Sequence, residues 1–159
     1  MKIRKPTPET YNKVYALLQN AFPGSNKEKQ LVEKLHKNGK IIHEWFCIHT
    51  NKAIAYIAFT NAYKGKEICG LHLAPLAVKP EFQNQGIGTE LMKFAMRQDG
   101  IKNSAVYVLG QGGFYQRFAF EHCPAPLCPF SKKNKHFYSI RNHEANQFTV
   151  GYEPEFSKM

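Results

Sequence analysis

The segment most capable of chemistry is a strand-like run that leads through a proline into two closely spaced glycines and a helix. It begins at Leu76 and reads Leu-Ala-Val-Lys-Pro-Glu-Phe-Gln-Asn-Gln-Gly-Ile-Gly-Thr-Glu-Leu-Met. The first N–H groups of a helix have no partner within the helix, and the helix dipole favours negative charge beside them. Glycines let the backbone approach an anion without an intervening Cβ. The spacing therefore predicts a phosphate site between Gln83 and Thr89.

The same two glycines allow two other interpretations. A dinucleotide-binding loop requires Gly-x-Gly-x-x-Gly with an acidic residue about twenty positions later. Neither feature is present around Gly86 and Gly88. Two glycines at this spacing also occur in ordinary turns, so the pattern alone leaves a purely structural role open.

The periodicity of apolar residues predicts the elements that must position this site. Thr7 as N-cap, Pro8 in the first turn and Glu9 facing the helix dipole predict the start of a first helix, which Pro23-Gly24 ends. A second helix is predicted from a cap at Ser25 or Asn26 to Asn38-Gly39. The remaining predictions are strands at residues 3–5, 41–49, 53–60, 67–78, 105–109, 136–140 and 147–152, helices at 88–98 and 112–118, and the start of a strand at 119–122.

The order of these elements restricts the topology. Residues 41–49 and 53–60 are separated by Thr50-Asn51-Lys52 and predict a hairpin, which the run 67–78 extends into an antiparallel meander. The helix 88–98 then connects to a buried strand at 105–109, which implies a βαβ crossover.

The composition excludes several classes of protein. The chain has 159 residues, 43% of them hydrophobic and 21% charged, which is typical of a single globular domain spanning 1–159. The apolar runs at 53–59 and 74–78 are too short to cross a bilayer, and no apolar segment follows the basic start, so we expect a soluble, cytoplasmic protein. The net charge of +10 suits an anionic ligand. Apart from Lys132-Lys133-Asn134-Lys135 the basic residues are scattered, so nucleic-acid binding is not expected.

The sequence does not predict a metal site. His122, Cys123, Cys128 and His136 include a Cys-x4-Cys spacing that zinc tolerates. A single pair among three prolines, without a second clean pair, is a weak signal. The four cysteines also lack the paired spacings of a disulfide framework.

The string Val78-x-Pro80-x-x-Gln83-x-x-Gly86-x-Gly88-x-x-Leu91 resembles the pyrophosphate-binding motif of the GNAT superfamily of N-acetyltransferases. Within it, Leu73-Ala-Pro-Leu-Ala-Val and Phe114-Tyr-Gln-Arg-Phe-Ala-Phe resemble a bacterial branch of predicted acetyltransferases. The resemblance implies the acyl-CoA N-acyltransferase fold: an α/β (α+β) domain with a mixed, mostly antiparallel central sheet and flanking helices.

The resemblance also implies a binding site for acetyl-CoA as cosubstrate. Backbone amides would hold the pyrophosphate, and the backbone of one strand would pair with the pantetheine arm, whose two amides can imitate a strand. Pro75 cannot donate to a ladder, so we expect a bulge or break just before that strand segment, and a splay between it and residues 105–109. The implied residues are Gln83, Asn84, Gln85, Gly86, Ile87, Gly88 and Thr89 for the pyrophosphate, and Leu76, Ala77 and Val78 for the pantetheine.

Two residues are implied to move protons. His72 lies at the position where histone acetyltransferases of the superfamily carry a glutamate base, and an unperturbed histidine of pKa about 6.5 can accept a proton from an amine. Tyr115 lies where the superfamily presents a tyrosine to the thioester sulfur. The structural alternatives are a satisfied histidine on a sheet for His72 and core packing beside Phe114 and Phe118 for Tyr115.

The resulting expectation is transfer of an acetyl group from acetyl-CoA to a primary amine by direct attack, with a backbone amide near Leu76 polarising the carbonyl. The alternative is a non-catalytic module that only binds acyl-CoA on the same fold. The acceptor, a small-molecule or peptide amine, is not specified by the sequence. A monomer and a homodimer are both compatible with it.

Overall fold

A computed structural model describes residues 2–158 of the chain. The helices are α1 (Tyr11–Ala21), α2 (Lys27–Lys37), α3 (Ile87–Met96) and α4 (Gly112–Gln116). The strands are β1 (Lys2–Arg4), β2 (Ile42–His49), β3 (Lys52–Lys64), β4 (Glu67–Val78), β5 (Val106–Leu109), β6 (Glu121–His122) and β7 (Phe137–Ile140). Short 3₁₀ turns occupy Pro80–Phe82, Lys132–Asn134 and Pro154–Lys158.

The strands form one seven-stranded sheet in the order β1-β2-β3-β4-β5-β7-β6. Only the β4–β5 pair is parallel, and α3 makes the crossover between these two strands. The predicted hairpin, meander and βαβ unit are therefore confirmed. The predicted fold class, a mixed and mostly antiparallel sheet with flanking helices, is confirmed as well.

Alternation along the strands separates two cores. On one face, Ile57 and Phe59 of β3 pack in a cluster with the apolar side of α3, which contributes Leu91, Met92 and Ala95. On the other face, Tyr56 and Ala58 pack in a cluster with Val14, Leu17 and Leu18 of α1. Because successive strand residues point to opposite faces, one apolar strand serves both layers. Among residues 2–158, no helix is long and apolar enough to cross a membrane.

A buried polar network fixes α1 and α2 to the sheet. The carboxylate of Glu44 accepts hydrogen bonds from the Tyr56 hydroxyl at 2.7 Å and from His36 Nε2 at 2.9 Å. Nδ1 of the same imidazole lies 2.7 Å from the Tyr15 hydroxyl. Because every member has a partner, the network can be buried without leaving an unpaired polar group. It thereby fixes the middle of α1 and the last turn of α2 to the sheet.

The predicted start of the first helix and the predicted strand at 147–152 were wrong. The first helix begins at Tyr11 with Thr10 as N-cap, because the backbone N–H of Thr7 donates to Thr10 Oγ1 at 2.8 Å and residues 7–10 form a separate turn. Residues 147–152 make isolated bridges instead of a strand. Their backbone groups are divided between two partners, Leu127 and Tyr63, so no continuous ladder forms.

Other differences concern boundaries. β3 continues to Lys64 because its last residues pair with the start of β4. α4 ends at Gln116. Ala119 has a φ of +70°, so the chain turns there and the following strand is limited to Glu121–His122.

Candidate active site

The predicted bulge in β4 is present and creates a free strand edge. Ile57 of β3 pairs with Leu76, whereas Phe59 pairs with Leu73, so β4 carries one extra residue in this interval, at Ala74-Pro75. β5 pairs with β4 only from Leu71 to Leu73. Beyond that point the two parallel strands diverge, which confirms the predicted splay and leaves the end of β4 without a neighbour on that side.

The direction of the backbone groups along this edge follows from one hydrogen bond. The N–H of Lys79 donates to Ile54 O of β3 at 2.8 Å. Since backbone groups of successive strand residues point to opposite sides, the N–H and C=O of Leu76 and Val78 face the open side. Those of Ala77 face β3. Of the three residues predicted for the pantetheine, Leu76 thus has both backbone groups available for pairing and Val78 has its N–H, since Val78 O accepts a hydrogen bond from the Gln83 side chain.

The loop after β4 ends in a glycine with a left-handed conformation. Gly86 has a φ of +81° and is the N-cap of α3, where its carbonyl accepts the N–H of Glu90 at 3.0 Å. The amide side chain of Gln83 donates to Val78 O at 3.1 Å, and that of Gln85 donates to Glu81 O at 3.2 Å. The two glutamines therefore hold the loop in shape.

This loop presents a row of unpaired amides. The N–H of Gln83 is bonded to Pro80 O at 3.3 Å. Among residues 2–158, no protein acceptor is found for the six following amides, those of Asn84, Gln85, Gly86, Ile87, Gly88 and Thr89. Six consecutive free N–H groups at the positive end of a helix dipole are suited to bind an anion.

Five of the six residues with unpaired amides, all but Gln85, line a groove of about 830 Å³, here called the amide groove. Its lining residues are Leu76, Val78, Phe82, Gln83, Asn84, Gly86, Ile87, Gly88, Thr89, Gly110, Gln111, Phe114, Tyr115 and Arg117. The groove runs from the start of α3 to α4. It therefore connects the anion-binding loop with the open edge of β4.

A second space, the aromatic cavity, has a volume of about 490 Å³. Its lining residues are Phe22, Lys27, Glu28, Leu31, His72, Leu73, Ala74, Pro75, Leu76, Tyr107, Leu109, Tyr115, Phe130, Tyr152, Phe156 and Ser157. Leu76 and Tyr115 line both spaces, so the two meet where β4 and β5 diverge. A molecule in the groove and a second molecule in the cavity would meet at these two residues.

Tyr115 packs in the core through its ring and keeps its hydroxyl free. Its side chain is 9% exposed and makes edge contacts with Phe114 and Phe120. Its hydroxyl has no hydrogen-bond partner among the described residues, yet it is not one of the fully enclosed polar atoms. Burial raises the pKa of Tyr115 to about 12, so the phenol remains protonated at physiological pH. The core packing considered from the sequence is thus present together with a proton donor on the groove.

His72 lines the aromatic cavity but is almost completely buried, with 1% of its surface exposed. Its Nε2–H donates to Gly151 O at 3.0 Å, and its ring stacks on Tyr152 with centroids 3.5 Å apart. Nδ1 has no protein partner, and neither has Thr60 Oγ1, which belongs to the residue paired with His72 across the sheet. Burial lowers the pKa of His72 to about 4, although the bond to Gly151 acts in the opposite direction.

This arrangement restricts what His72 can do. A neutral imidazole whose Nε2 carries the hydrogen presents a bare lone pair at Nδ1. Such a nitrogen accepts a hydrogen bond readily, but at pH 7 it holds a full proton poorly. Because Nδ1 is fully enclosed, a neutral amine could reach it only after the surrounding side chains move.

Three of the four residues that could have bound a metal, Cys123, Cys128 and His122, make hydrogen bonds to other groups. Cys123 Sγ donates to Ala125 O at 3.1 Å, Cys128 Sγ lies 3.4 Å from the Tyr152 hydroxyl, and His122 Nε2 donates to Asn134 O at 2.9 Å. Within residues 2–158, no three metal-ligating side chains are grouped for an ion. The expectation that the chain holds no metal stays a prediction.

The geometry agrees with the result of a comparison with known families. A model described as an acetyltransferase (GNAT) domain matches residues 40–122, more than half of the chain. The chain belongs to the GNAT acetyltransferase family. The resemblance noted in the sequence is thus confirmed, and the matched region contains β2 to β6 with both site segments.

Relatives of this GNAT chain are bacterial. It is 31% identical over 139 residues to the uncharacterized N-acetyltransferase YjhQ of Escherichia coli K12, covering 80% of this chain and 76% of YjhQ. It is 29% identical over 126 residues to the uncharacterized N-acetyltransferase YhbS of the same strain, covering 76% of this chain and 74% of YhbS.

Two solved structures share the fold. The crystal structure of Escherichia coli YhbS in complex with CoA superimposes with a TM-score of 0.87 at 25% identity, covering 98% of this chain and 91% of the other. A GNAT acetyltransferase from Brucella melitensis in complex with acetyl-CoA gives a TM-score of 0.79 at 23% identity, covering 98% and 97%. The second likeness supports the fold alone.

The structure of this GNAT chain also adds one charged residue to the predicted set. Arg117 lines the amide groove and donates from its guanidinium to Thr89 Oγ1 at 3.1 Å. Its cationic group lies over the rings of Phe114 and Phe118, at 5.5 and 5.8 Å from their centroids. The side chain therefore adds a positive charge beside the free amides. Its position in the Phe-Tyr-Gln-Arg-Phe string was a signal that could have identified it.

Proposed function

We propose that this protein is an N-acetyltransferase that binds acetyl-CoA in the amide groove and transfers the acetyl group to a primary amine in the aromatic cavity. One observation carries the proposal. Five residues with unpaired amides line a groove that meets a separate cavity at Leu76 and Tyr115. This is the arrangement that a reaction between an anionic cosubstrate and a second substrate requires.

The residues present fit coenzyme A. The amides of Asn84, Gln85, Gly86, Ile87, Gly88 and Thr89 would bind the pyrophosphate, with Gln83 holding the loop through its side chain and Arg117 adding positive charge. An ideal Cβ at Gly86 would enter open space beside these amides, so glycine leaves room for a phosphate. The C=O of Leu76 and the N–H of Val78 would pair with the pantetheine amides, while Ala77 supports the strand through its pairing with β3.

When bound, acetyl-CoA would supply a thioester whose carbonyl carbon an amine can attack. In the proposed arrangement, the N–H of Leu76 donates to the carbonyl oxygen as negative charge develops there. A single well-placed backbone donor of this kind typically contributes about a hundred- to a thousandfold in rate. In the overall reaction, one acetyl group is transferred to the amine, one thiol is released and the acceptor ammonium loses one proton.

Tyr115 would return a proton to the departing sulfur. With its pKa near 12, it is a weaker acid than a thiol of pKa about 8.5 in water. Because desolvation also raises the basicity of a thiolate, the gap narrows inside the site. The free hydroxyl of Tyr115 at the junction of groove and cavity supports this role.

His72 would accept a hydrogen bond from the acceptor amine at Nδ1. Taking a full proton from an alkylammonium of pKa about 10.4 would be uphill by roughly 6 pKa units for an imidazole of pKa about 4. The proposed role is therefore to receive and orient the neutral amine, with solvent taking the proton before attack. The unpaired Nδ1 of a residue that lines the aromatic cavity supports this contact, which requires the side chains that enclose Nδ1 to move when the amine binds.

The test combines calorimetry with a thiol-release assay on the purified protein. We expect CoA and acetyl-CoA to bind with one site each, and acetyl-CoA plus a panel of primary amines to release free thiol in step with acetylated amine. Tight binding of acetyl-CoA without amine-dependent thiol release from any member of the panel would instead favour a non-catalytic acyl-CoA-binding module.

A further inference from the structure

The wall of the aromatic cavity is predominantly apolar. Six of its lining residues are aromatic rings, namely Phe22, Tyr107, Tyr115, Phe130, Tyr152 and Phe156. The others include leucines and a proline. A ligand buried in such a wall gains free energy in proportion to the apolar area that it removes from water.

The charged groups of the cavity are few and adjacent. Among the described residues that line the cavity, the acidic and basic side chains are Glu28 and Lys27, both in the first turn of α2, and His72 is neutral. The carboxylate of Glu28 accepts hydrogen bonds from Ser25 Oγ at 3.3 and 3.4 Å. Among the described residues, the walls formed by β4, β5 and the C-terminal segment up to Ser157 contribute no carboxylate to this lining. A second ammonium held against these walls, away from Glu28, would therefore lose its hydration without a counterion.

Two exposed apolar side chains line the aromatic cavity. Four large hydrophobic residues are exposed within residues 2–158, and two of them, Leu109 (40%) and Phe130 (49%), line this cavity. The Phe130 ring also contacts Tyr152, with centroids 4.9 Å apart. Large exposed apolar groups beside a concave apolar wall are typical of a binding site for an apolar ligand.

From these observations we infer that the acceptor is a primary amine with an aromatic or bulky apolar body and no second cation, the class of the arylalkylamines. The inference rests on the proposed function and specifies the acceptor. The amine would reach the junction at Leu76 and Tyr115, and the apolar body would fill the space between Phe130, Tyr152 and Phe156.

The inference is tested by binding, which does not depend on turnover. Calorimetry of the CoA-loaded protein would compare 2-phenylethylamine, butylamine and 1,4-diaminobutane, the last two of which differ only by a second amine. We expect 2-phenylethylamine to bind at least roughly tenfold more tightly than butylamine, and 1,4-diaminobutane to bind most weakly. Equal or tighter binding of 1,4-diaminobutane would overturn the inference.

A pair of exposed residues provides a matched comparison. Phe130→Ala should weaken binding of 2-phenylethylamine by roughly fivefold or more while leaving butylamine almost unaffected. Ile68→Ala removes a similarly exposed side chain (60%) that lies outside the cavity. This variant should bind 2-phenylethylamine and butylamine as the wild type does. Because Phe130 is half exposed, its loss should not unfold the protein. If Phe130→Ala keeps the wild-type preference for 2-phenylethylamine over butylamine, the assigned site is wrong.

The two proposals fail in different ways. If 2-phenylethylamine binds preferentially but releases no thiol from acetyl-CoA, the transferase proposal is wrong while the binding preference stands. If thiol release is fastest with 1,4-diaminobutane or another polycation that also binds most tightly, the transferase proposal stands and the acceptor class is wrong.

Discussion

Gly110 leaves the space that the ring of Tyr115 occupies: a β-carbon at position 110 would lie 2.9 Å from Cε2 of Tyr115. Real β-carbons do not approach another heavy atom so closely, so any side chain at this position must displace the ring. Gly110 follows β5 directly, at the point where β5 diverges from β4. The glycine thus links the end of the strand to the position of the proposed acid.

The first prediction concerns this contact. Gly110→Ala should lower turnover by roughly ten- to a hundredfold, because a displacement of the Tyr115 hydroxyl by about 1 Å misaligns proton transfer. Gly113→Ala is the control, since a β-carbon there meets no atom within 4 Å. Steady-state thiol release and CoA affinity are measured on both. Equal turnover in the two variants would show that the ring position is unimportant.

The second prediction separates the hydroxyl of Tyr115 from its ring. Tyr115→Phe keeps the aromatic packing and removes a hydroxyl that has no protein partner, so the melting temperature should hardly change. Turnover should fall by roughly one to three orders of magnitude while acetyl-CoA binding is retained.

Tyr107→Phe is the matched control for that experiment. Tyr107 lines the same cavity, but its hydroxyl donates to Asn142 Oδ1 at 3.2 Å. We expect this variant to lose about 1 kcal/mol or more of stability with little change in rate. Wild-type turnover in Tyr115→Phe would exclude Tyr115 as the acid.

The third prediction compares two glycines with the same backbone requirement. Gly86 (φ +81°) and Gly65 (φ +62°) both occupy the left-handed region with open space around an ideal β-carbon. Replacement of either with leucine should cost roughly 1–2 kcal/mol of stability. Only Gly86→Leu should lose CoA affinity, by more than roughly tenfold, because its side chain enters the space beside the free amides.

Calorimetry with CoA and denaturant unfolding decide between the outcomes. Gly88→Leu should weaken CoA in the same way, since Gly88 also lines the amide groove. If Gly65→Leu and Gly86→Leu lose the same small amount of affinity, the loop does not bind the pyrophosphate.

The fourth prediction follows from the buried imidazole of His72. Its pKa falls from about 6.5 in the unfolded chain to about 4 in the folded protein. Between these values the unfolded state binds more protons, so the free energy of unfolding must decrease as pH falls from 7 to 4. The difference of about 2.5 pKa units corresponds to roughly 3 kcal/mol.

His72→Phe keeps an aromatic ring on Tyr152 and cannot titrate, so its stability should decline less steeply over this range than that of the wild type. Urea unfolding at several pH values measures the two slopes, and carboxylates contribute to both alike. Parallel slopes, or an NMR titration of His72 with a midpoint near 6.5, would contradict the assigned burial. For turnover, the pH profile should follow the deprotonation of the acceptor amine, without a step near 6.5.

The sequence determined the parts of this protein that depend on short-range pattern. The meander, the crossover helix and the loop from Pro80 to Gly88 each rest on periodicity, a proline or a glycine within a few neighbouring positions. The bulge at Ala74-Pro75 was also predictable, because proline cannot donate to the ladder. These features are local, so the identity of nearby residues suffices to specify them.

Only the tertiary structure decided which of these residues are free to act. The direction of the Leu76 and Val78 backbone depends on pairing with β3, and the state of His72 depends on Gly151, which lies 79 positions later in a segment wrongly predicted as a strand. A pKa and an open hydrogen-bonding group are set by what surrounds a side chain in space. Contacts between distant parts of the chain form only on packing, so the residues next to His72 in the sequence do not predict them.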